Sequence, residues 1–186
     1  MRILFITSSR IGDAVLSTGL LDHLMRTCPD ARFTIACGPA AEGVFARMPR
    51  CEELILIPKR RFGLHWMRLW SKVAFRRWDL VVDLRGSLVG LGLHARQRVI
   101  KRGGRRPGHR LLHIAGAMKL TPAPRPVAWY APEDAARVDS LIGTGAPLLV
   151  LAPTAAWKGK VWPAARFAQL ARILTAPDGV LPVARI

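Results

Sequence analysis

The stretch "SSRIGDAVLSTGLLDHL", Ser8–Leu24, places a carboxylate, Asp13, directly after a single glycine, Gly12. An apolar strand-like run precedes it and an amphipathic helix-like run follows. Junctions of this kind that hold a phosphate use several glycines, which let backbone N–H groups approach the anion. A carboxylate repels a phosphate, so Asp13 serves another purpose. An acid in the first turn of a helix is favoured by the macrodipole and by unpaired N–H groups. The same residue stands at the C-terminal end of the first strand, where ligands collect in open α/β sheets. There it has the chemistry of a general base toward a substrate hydroxyl. Spacing alone leaves both readings open.

A second group lies in "APTAAWKGKVWPAARFAQLA", Ala152–Ala171. A strand ends, a loop carries Thr154, Lys158, Gly159 and Lys160, and Pro163 stands just inside a helix start. A helix N-terminus beside a lysine is suited to an anion, and Trp162 is placed to staple onto the helix. "GTGAPL", Gly143–Leu148, is a dinucleotide loop in appearance only, because it runs from helix to strand and lacks a third glycine.

The third group is cationic. The formal net charge is +17, and Lys59–Arg110 holds fifteen Lys/Arg against two acids, Asp79 and Asp83. Such a field favours nucleic acid, an anionic membrane surface, or a substrate with several phosphates or carboxylates. A solvated, arginine-rich surface is the plainer reading. Phe62, Trp66 and Trp70 recur every four residues, and Arg68, Lys72 and Arg76 recur at the same spacing on another face. That describes an interfacial helix, or a core helix with a basic edge.

Cys28, Cys37 and Cys51 are odd in number and lack C-x-x-C spacing, so they read as free thiols of a reducing compartment. The five histidines show no metal-ligand spacing, and no metal or cofactor is expected. No secretory signal and no apolar run of ~20 residues is present, and a soluble cytosolic protein is expected.

The elements that must position these groups alternate in period. Strands are expected at Arg2–Thr7, Arg32–Cys37, Glu53–Ile57, Asp79–Leu84 and Gln97–Lys101. Helices are expected at Asp13–Met25, Ala40–Met48, Phe62–Arg77 and Ser87–Ala95. This is an α/β pattern with a Rossmann-like, doubly wound parallel sheet. "TPAPRP", Thr121–Pro126, breaks it as a stiff linker. A helix at Pro132–Ile142, a strand at Pro147–Pro153, a helix at Ala164–Leu174 and a last strand in "GVLPVARI" follow. The expected organisation is a first domain over 1–120, a linker and linking helix over 121–146, and the incomplete start of a second domain over 147–186.

Three of these stretches together resemble the lipopolysaccharide heptosyltransferases and the wider glycosyltransferase family nine. Pro153, Ala155, Trp157, Lys160, Trp162, Pro163 and Phe167 match the signature "PGASW-x-x-K-x-WP-x-x-x-F". "RIGDAVLSTGLLDHL" resembles the opening "R-x-GD-x-x-x-x-x-P-x-L-x-x-L", with Thr18 and Gly19 where small residues or Pro fall. "DLVVDLRGS", Asp79–Ser87, resembles "D-x-x-x-D-x-x-x-S". Thr154 and Ala156 depart from the Gly and Ser of the signature, and the chain ends before the family's later glycine-rich and Asp-Thr-Gly segments.

The resemblance implies a GT-B glycosyltransferase, inverting and metal-independent. It implies transfer of a sugar, a heptose, from a nucleotide-sugar of the ADP-heptose kind to a phosphorylated lipopolysaccharide-core acceptor. Asp13 is then the general base, and Thr154, Lys158 and Lys160 contact the donor phosphates. Gly12, Lys59, Arg60, Arg61, Arg105 and Arg106 contact an anionic glycolipid acceptor. Phe62, Trp66 and Trp70 face the membrane, and the protein is peripheral on the inner face of the cytoplasmic membrane. No specific nucleic acid is expected. The alternative is a non-enzymatic cationic α/β module, or a degenerate relic, that binds an anionic membrane or RNA.

Overall fold

Ile3, Leu4, Phe5 and Ile6 are all completely buried, the pattern of a parallel strand covered on both faces. They form β1 (Arg2–Ile6) at the centre of the first of two units, Met1–Tyr130 and Ala131–Ile186. Ile3 and Phe5 pack with Leu20, Leu21 and Leu24 of α1 (Ile11–Thr27) and with Phe45 of α2 (Glu42–Phe45). Leu4 and Ile6 pack on the other face with Leu69 and Val73 of α3 (Leu64–Val73). The computed structural model describes residues 1–59, 61–101, 107–143, 145–155, 157–182 and 184–186.

β2 (Arg32–Cys37), β3 (Cys51–Leu56), β4 (Trp78–Asp83) and β5 (Ala95–Ile100) complete a five-stranded parallel sheet in the order β3-β2-β1-β4-β5. This is the doubly wound α/β class that the sequence indicates. The order reverses between β1 and β4, which opens a crevice at the C-terminal ends of those two strands.

Several helices differ from expectation. The helix expected at Phe62–Arg77 starts only at Leu64, because Phe62 has a left-handed φ of 53° and Gly63 one of 72°, and it ends at Val73. Gly90 and Gly92 weaken the helix expected at Ser87–Ala95, and a 3₁₀ turn at Leu88–Gly92 takes its place. Ala40–Met48 likewise reduces to a 3₁₀ turn, Pro39–Ala41, and the single turn of α2. One helix is unanticipated: α4 (Arg110–Ala117), whose first turn is capped by His109 accepting from the Leu111 N–H at 3.3 Å. Its signal is present in the spacing of Leu111, Ile114, Ala115 and Met118.

The expected linker and helix, 121–146, divide between the two units at Tyr130. Residues 124–127 lie across α1, where the Val127 N–H donates to Thr18 Oγ1 at 2.8 Å. A Cβ on Gly19 would come within 2.6 Å of the Pro124 and Arg125 carbonyl oxygens. Trp129 packs against the core beyond.

The second unit contains α5 (Pro132–Ile142), with Pro132 in its first turn and Asp134 Oδ2 accepting from the Ala131 N–H, and α6 (Ala164–Thr175). The strands expected at Pro147–Pro153 and in "GVLPVARI" are reduced to one parallel bridge, Leu148 to Arg185, among the described residues. Two parallel segments without covered faces do not sustain a ladder, and Val150 beside the bridge is 76% exposed. The sole buried residue of α6 is Ala171.

Candidate active site

The crevice is built from the loops that leave the strands. After β1 the chain turns through Thr7–Arg10 into α1. Buried Thr7 lies 2.9 Å from Ser17 Oγ, which donates to the Ala14 carbonyl at 2.7 Å, so the loop is tied to the helix it feeds. After β2, Gly38 passes directly beneath Ser9: a Cβ there would stand 2.3 Å from Ser9 Cβ and 2.5 Å from its Cα. Close approach, and not backbone conformation, requires this glycine, since its φ is −79°.

After β4 the turn is organised by Asp83, whose side chain is completely buried. Its Oδ1 accepts from the Arg85 N–H at 2.8 Å and its Oδ2 from the Ser87 hydroxyl at 2.7 Å. Gly86 has φ +62°, and a Cβ on it would come 2.8 Å from the Lys101 carbonyl oxygen. Burial pushes the Asp83 carboxyl above the usual range, opposed by the hydrogen bonds it receives. Asp79, at the opposite end of β4, accepts from the Arg2 N–H at 2.7 Å. That bond, chiefly, holds Asp79 below the usual range, aided by the N-terminal charge and Arg96.

Between these loops lies a cleft of about 550 Å³. Five cations, Arg10, Lys59, Arg85, Lys101 and Arg110, line it, and Asp13 is the one carboxylate among the described lining residues. Asp13 is the third residue of α1, whose N-cap is Arg10 and has no side-chain cap. Its Oδ1 lies 3.4 Å from Arg110 Nε of α4, so the carboxylate is oriented by an ion pair across the cleft. Arg85 is held by Ser9 Oγ, which accepts from its guanidinium at 3.4 Å, and by the ring of Trp66, 5.3 Å away.

The structure brings some sequence-nominated residues together and separates others. Asp13 and Lys59 share the cleft, and Gly12 stands beside Asp13 with nothing within 4 Å of the position a Cβ would take. Arg61 is not among the cleft residues; it stacks on Phe62 at 5.5 Å. Arg60, Arg105 and Arg106 lie outside the described residues. The expected aromatic stripe is broken: Phe62 is 90% exposed ahead of the helix, Trp70 is 43% exposed, and Trp66 turns inward onto the core. Leu64 and Met67 are the exposed apolar companions of Trp70 on α3.

In the second unit, Thr154, Lys158 and Lys160 are all exposed, the lysines in a 3₁₀ turn over Lys158–Lys160. The Trp157 ring lies against Gly159, where a Cβ would meet it at 1.9 Å. Pro163 is the N-cap of α6, which begins at Ala164, the residue expected to begin the helix. Trp162 meets Phe167 edge to face at 5.0 Å, the staple that the sequence suggested. The residues that sequence reasoning passed over are Arg10, Arg85, Lys101 and Arg110 as a set. Their common signal is position just after a strand or at a helix start. Among the described residues no group of three or more potential metal ligands occurs, and no helix is long and apolar enough to cross a membrane.

Known proteins share this fold. The model of glycosyltransferase family 9 (heptosyltransferase) matches residues 112–180, which include Thr154, Lys158 and Lys160 but not Asp13. A family 9 glycosyltransferase from Veillonella parvula superposes with a TM-score of 0.70 at 20% identity, covering 91% of this chain and 58% of that one. E. coli heptosyltransferase WaaC with ADP gives 0.64 at 16% identity, covering 95% and 65%. E. coli ADP-heptose lps heptosyltransferase II gives 0.63 at 20% identity, covering 92% and 60%. The chain thus spans less than two thirds of the length of each of these structures. No curated protein sequence matches it. The resemblance to family 9 therefore stands on a matched segment and on a shared α/β fold.

Proposed function

We propose that this chain is the acceptor-side domain, with the beginning of the donor side, of a heptosyltransferase-type glycosyltransferase. The observation that carries the reading is Asp13, alone as a carboxylate among the described residues of a cation-lined cleft at the switch point of this fold. In this reading an acceptor hydroxyl enters the cleft and Asp13 takes its proton. The acceptor oxygen bonds to the anomeric carbon as the bond to the donor phosphate breaks, with inversion, and the nucleoside diphosphate leaves with the electron pair. Arg110 holds the carboxylate in place. Arg10 and Lys59 meet the phosphates or carboxylates of the acceptor, a task for which the Arg10 guanidinium is suited by its geometry and Lys59 by its charge.

Lys160, with Lys158 and Thr154, is assigned to the charge that develops on the departing diphosphate. The donor is a nucleotide-sugar of the ADP-heptose kind, a reading supported by the similarity in fold to E. coli heptosyltransferase WaaC with ADP. No metal is assigned to the step. The acceptor is a phosphorylated glycolipid, and exposed Phe62, Leu64, Met67 and Trp70 beside Arg68 and Lys72 suit a peripheral position on an anionic inner-membrane surface.

The test is transfer from ADP-heptose to a lipopolysaccharide-core acceptor by the wild type and by Asp13→Asn. The variant is expected to keep its melting temperature and lose transfer by on the order of 10²–10⁴-fold. Near-wild-type turnover by Asp13→Asn refutes the base assignment. A wild-type chain that binds anionic vesicles and transfers nothing supports the non-enzymatic module instead.

A further inference from the structure

The buried carboxylate of Asp83 takes no part in the step above, yet it shapes the wall of the cleft. It sits at the last position of β4, paired in register with Ile6 of β1. Its two oxygens gather the loop that follows, one from the Arg85 N–H and one from the Ser87 hydroxyl. The loop is fixed from outside as well: the Leu84 N–H donates to the Ile6 carbonyl and the Lys101 N–H to the Asp83 carbonyl, at 2.9 and 2.8 Å. This brings the Arg85 guanidinium to the cleft, against Ser9 and the face of Trp66. Among the described residues no carboxylate pairs with Arg85. A guanidinium held between a hydroxyl and a ring face, with no carboxylate partner among the described residues, is available to an anion from solution.

We propose that Arg85 is an oxyanion contact of the cleft and that Asp83 is its positioning residue. The identification of the anion as a phosphate or carboxylate carried by the acceptor rests on the glycosyltransferase reading; the contact itself does not. Asp83 acts through the loop: its carboxyl oxygens hold the Arg85 N–H and the Ser87 hydroxyl, and the backbone so folded decides where the guanidinium stands. Trp66 supports the guanidinium from below, which gives the inward turn of that ring a purpose.

The experiment titrates the full chain with inorganic phosphate and, separately, with acetate, and follows the Arg85 Nε–H resonance and the binding constant. Phosphate-selective binding assigns a phosphate of the acceptor, and acetate-selective binding a carboxylate. Arg85→Ala is expected to weaken the preferred anion about tenfold, and Asp83→Asn several-fold. The double variant is expected to bind no more weakly than Arg85→Ala alone, because Asp83 works through Arg85. Losses that add in the double variant overturn the positioning role. Wild-type affinity in Arg85→Ala, or no binding of either anion by the wild type, overturns the contact.

If Asp83→Asn does not fold, Ser87→Ala, which removes one of the two side-chain bonds, replaces it in the same cycle and is judged by the same result. Neither titration needs donor or turnover. Arg85-dependent anion binding in a chain that transfers no sugar therefore refutes the transferase reading alone, and sugar transfer with Arg85-independent binding refutes this inference alone.

Discussion

Replacing Gly38 by alanine tests whether the cleft depends on the crossing of two loops. Gly38 has φ −79° and ψ 157°, which alanine adopts without strain, so the substitution acts by contact alone. The added Cβ lies 2.3 Å from Ser9 Cβ and 2.5 Å from Ser9 Cα, whereas carbon atoms in contact sit about 3.5–4.0 Å apart. Two backbone segments must therefore separate by roughly 1 Å, and no flexible side chain can absorb the shift. Overpacking of this kind costs about 1–3 kcal/mol, set against a gain of about 0.4–1 kcal/mol from restricting the unfolded chain. A net loss of about 1–2 kcal/mol is expected in denaturant unfolding followed by tryptophan emission.

The displaced segment is Ser8–Arg10, which leads directly into Asp13. A misplacement of about 1 Å lowers a catalysed rate on the order of 10²-fold, so sugar transfer falls much further than stability does. Gly43→Ala is the control, because it lies on α2, beyond the same β2 exit and outside the cleft lining, and its Cβ meets nothing within 4 Å. Its stability is expected within about 0.5 kcal/mol of the wild type. If Gly38→Ala matches Gly43→Ala in both unfolding and transfer, the packing of the β2 exit under the β1 loop does not shape the site.

Further predictions address the frame around the cleft. Gly19→Ala is expected to destabilise the protein by about 1–3 kcal/mol and to alter Trp129 emission, because its Cβ would enter the Pro124 and Arg125 carbonyls. Gly116→Ala, with nothing within 4 Å on α4, gains up to about 1 kcal/mol from helix propensity, read as a higher denaturation midpoint. Asp79 is held below the usual range when folded, so its contribution is present above its unfolded pKa and is lost as pH falls through the lowered folded value. The stability gap between wild type and Asp79→Asn is therefore expected to close in urea titrations below about pH 4. Cys37 is fully buried, and burial foremost, with Glu42 and Cys51, pushes its thiol up to about 12. Mass spectrometry after iodoacetamide at about pH 8 is expected to find Cys37 unlabelled in the native protein and labelled once it is unfolded.

Much of the frame is legible in the residues. The alternation of apolar strand runs with amphipathic helices points to the α/β class, because backbone hydrogen bonding and side-chain period act over a few residues. RFTIAC and PEDAARVDSLI fold over the spans their patterns indicate, as β2 and α5. Where local preference is weak, the pattern misleads. Glycines at 90 and 92 do not sustain a helix, and the run Pro147–Pro153 has no covered faces to make it a strand.

The motif residues can be nominated by type, but their company cannot. Asp13 pairs with Arg110, ninety-seven positions away in the chain, because α4 packs against α1. Arg85 and Ser9 meet because β1 and β4 are neighbours in a strand order that no local pattern states. Trp66 packs on the core, whereas Trp70, one turn later on the same face, donates its indole N–H to the Gly92 carbonyl at 3.4 Å and stays 43% exposed, because what lies opposite each turn of α3 is set by the fold and not by the spacing. Local pattern dictates which elements form and which residue types bear charge, since both are settled within a few positions of the chain. Which of those charges share a cleft is settled by packing between segments far apart in sequence, and that is visible only once the sheet has assembled.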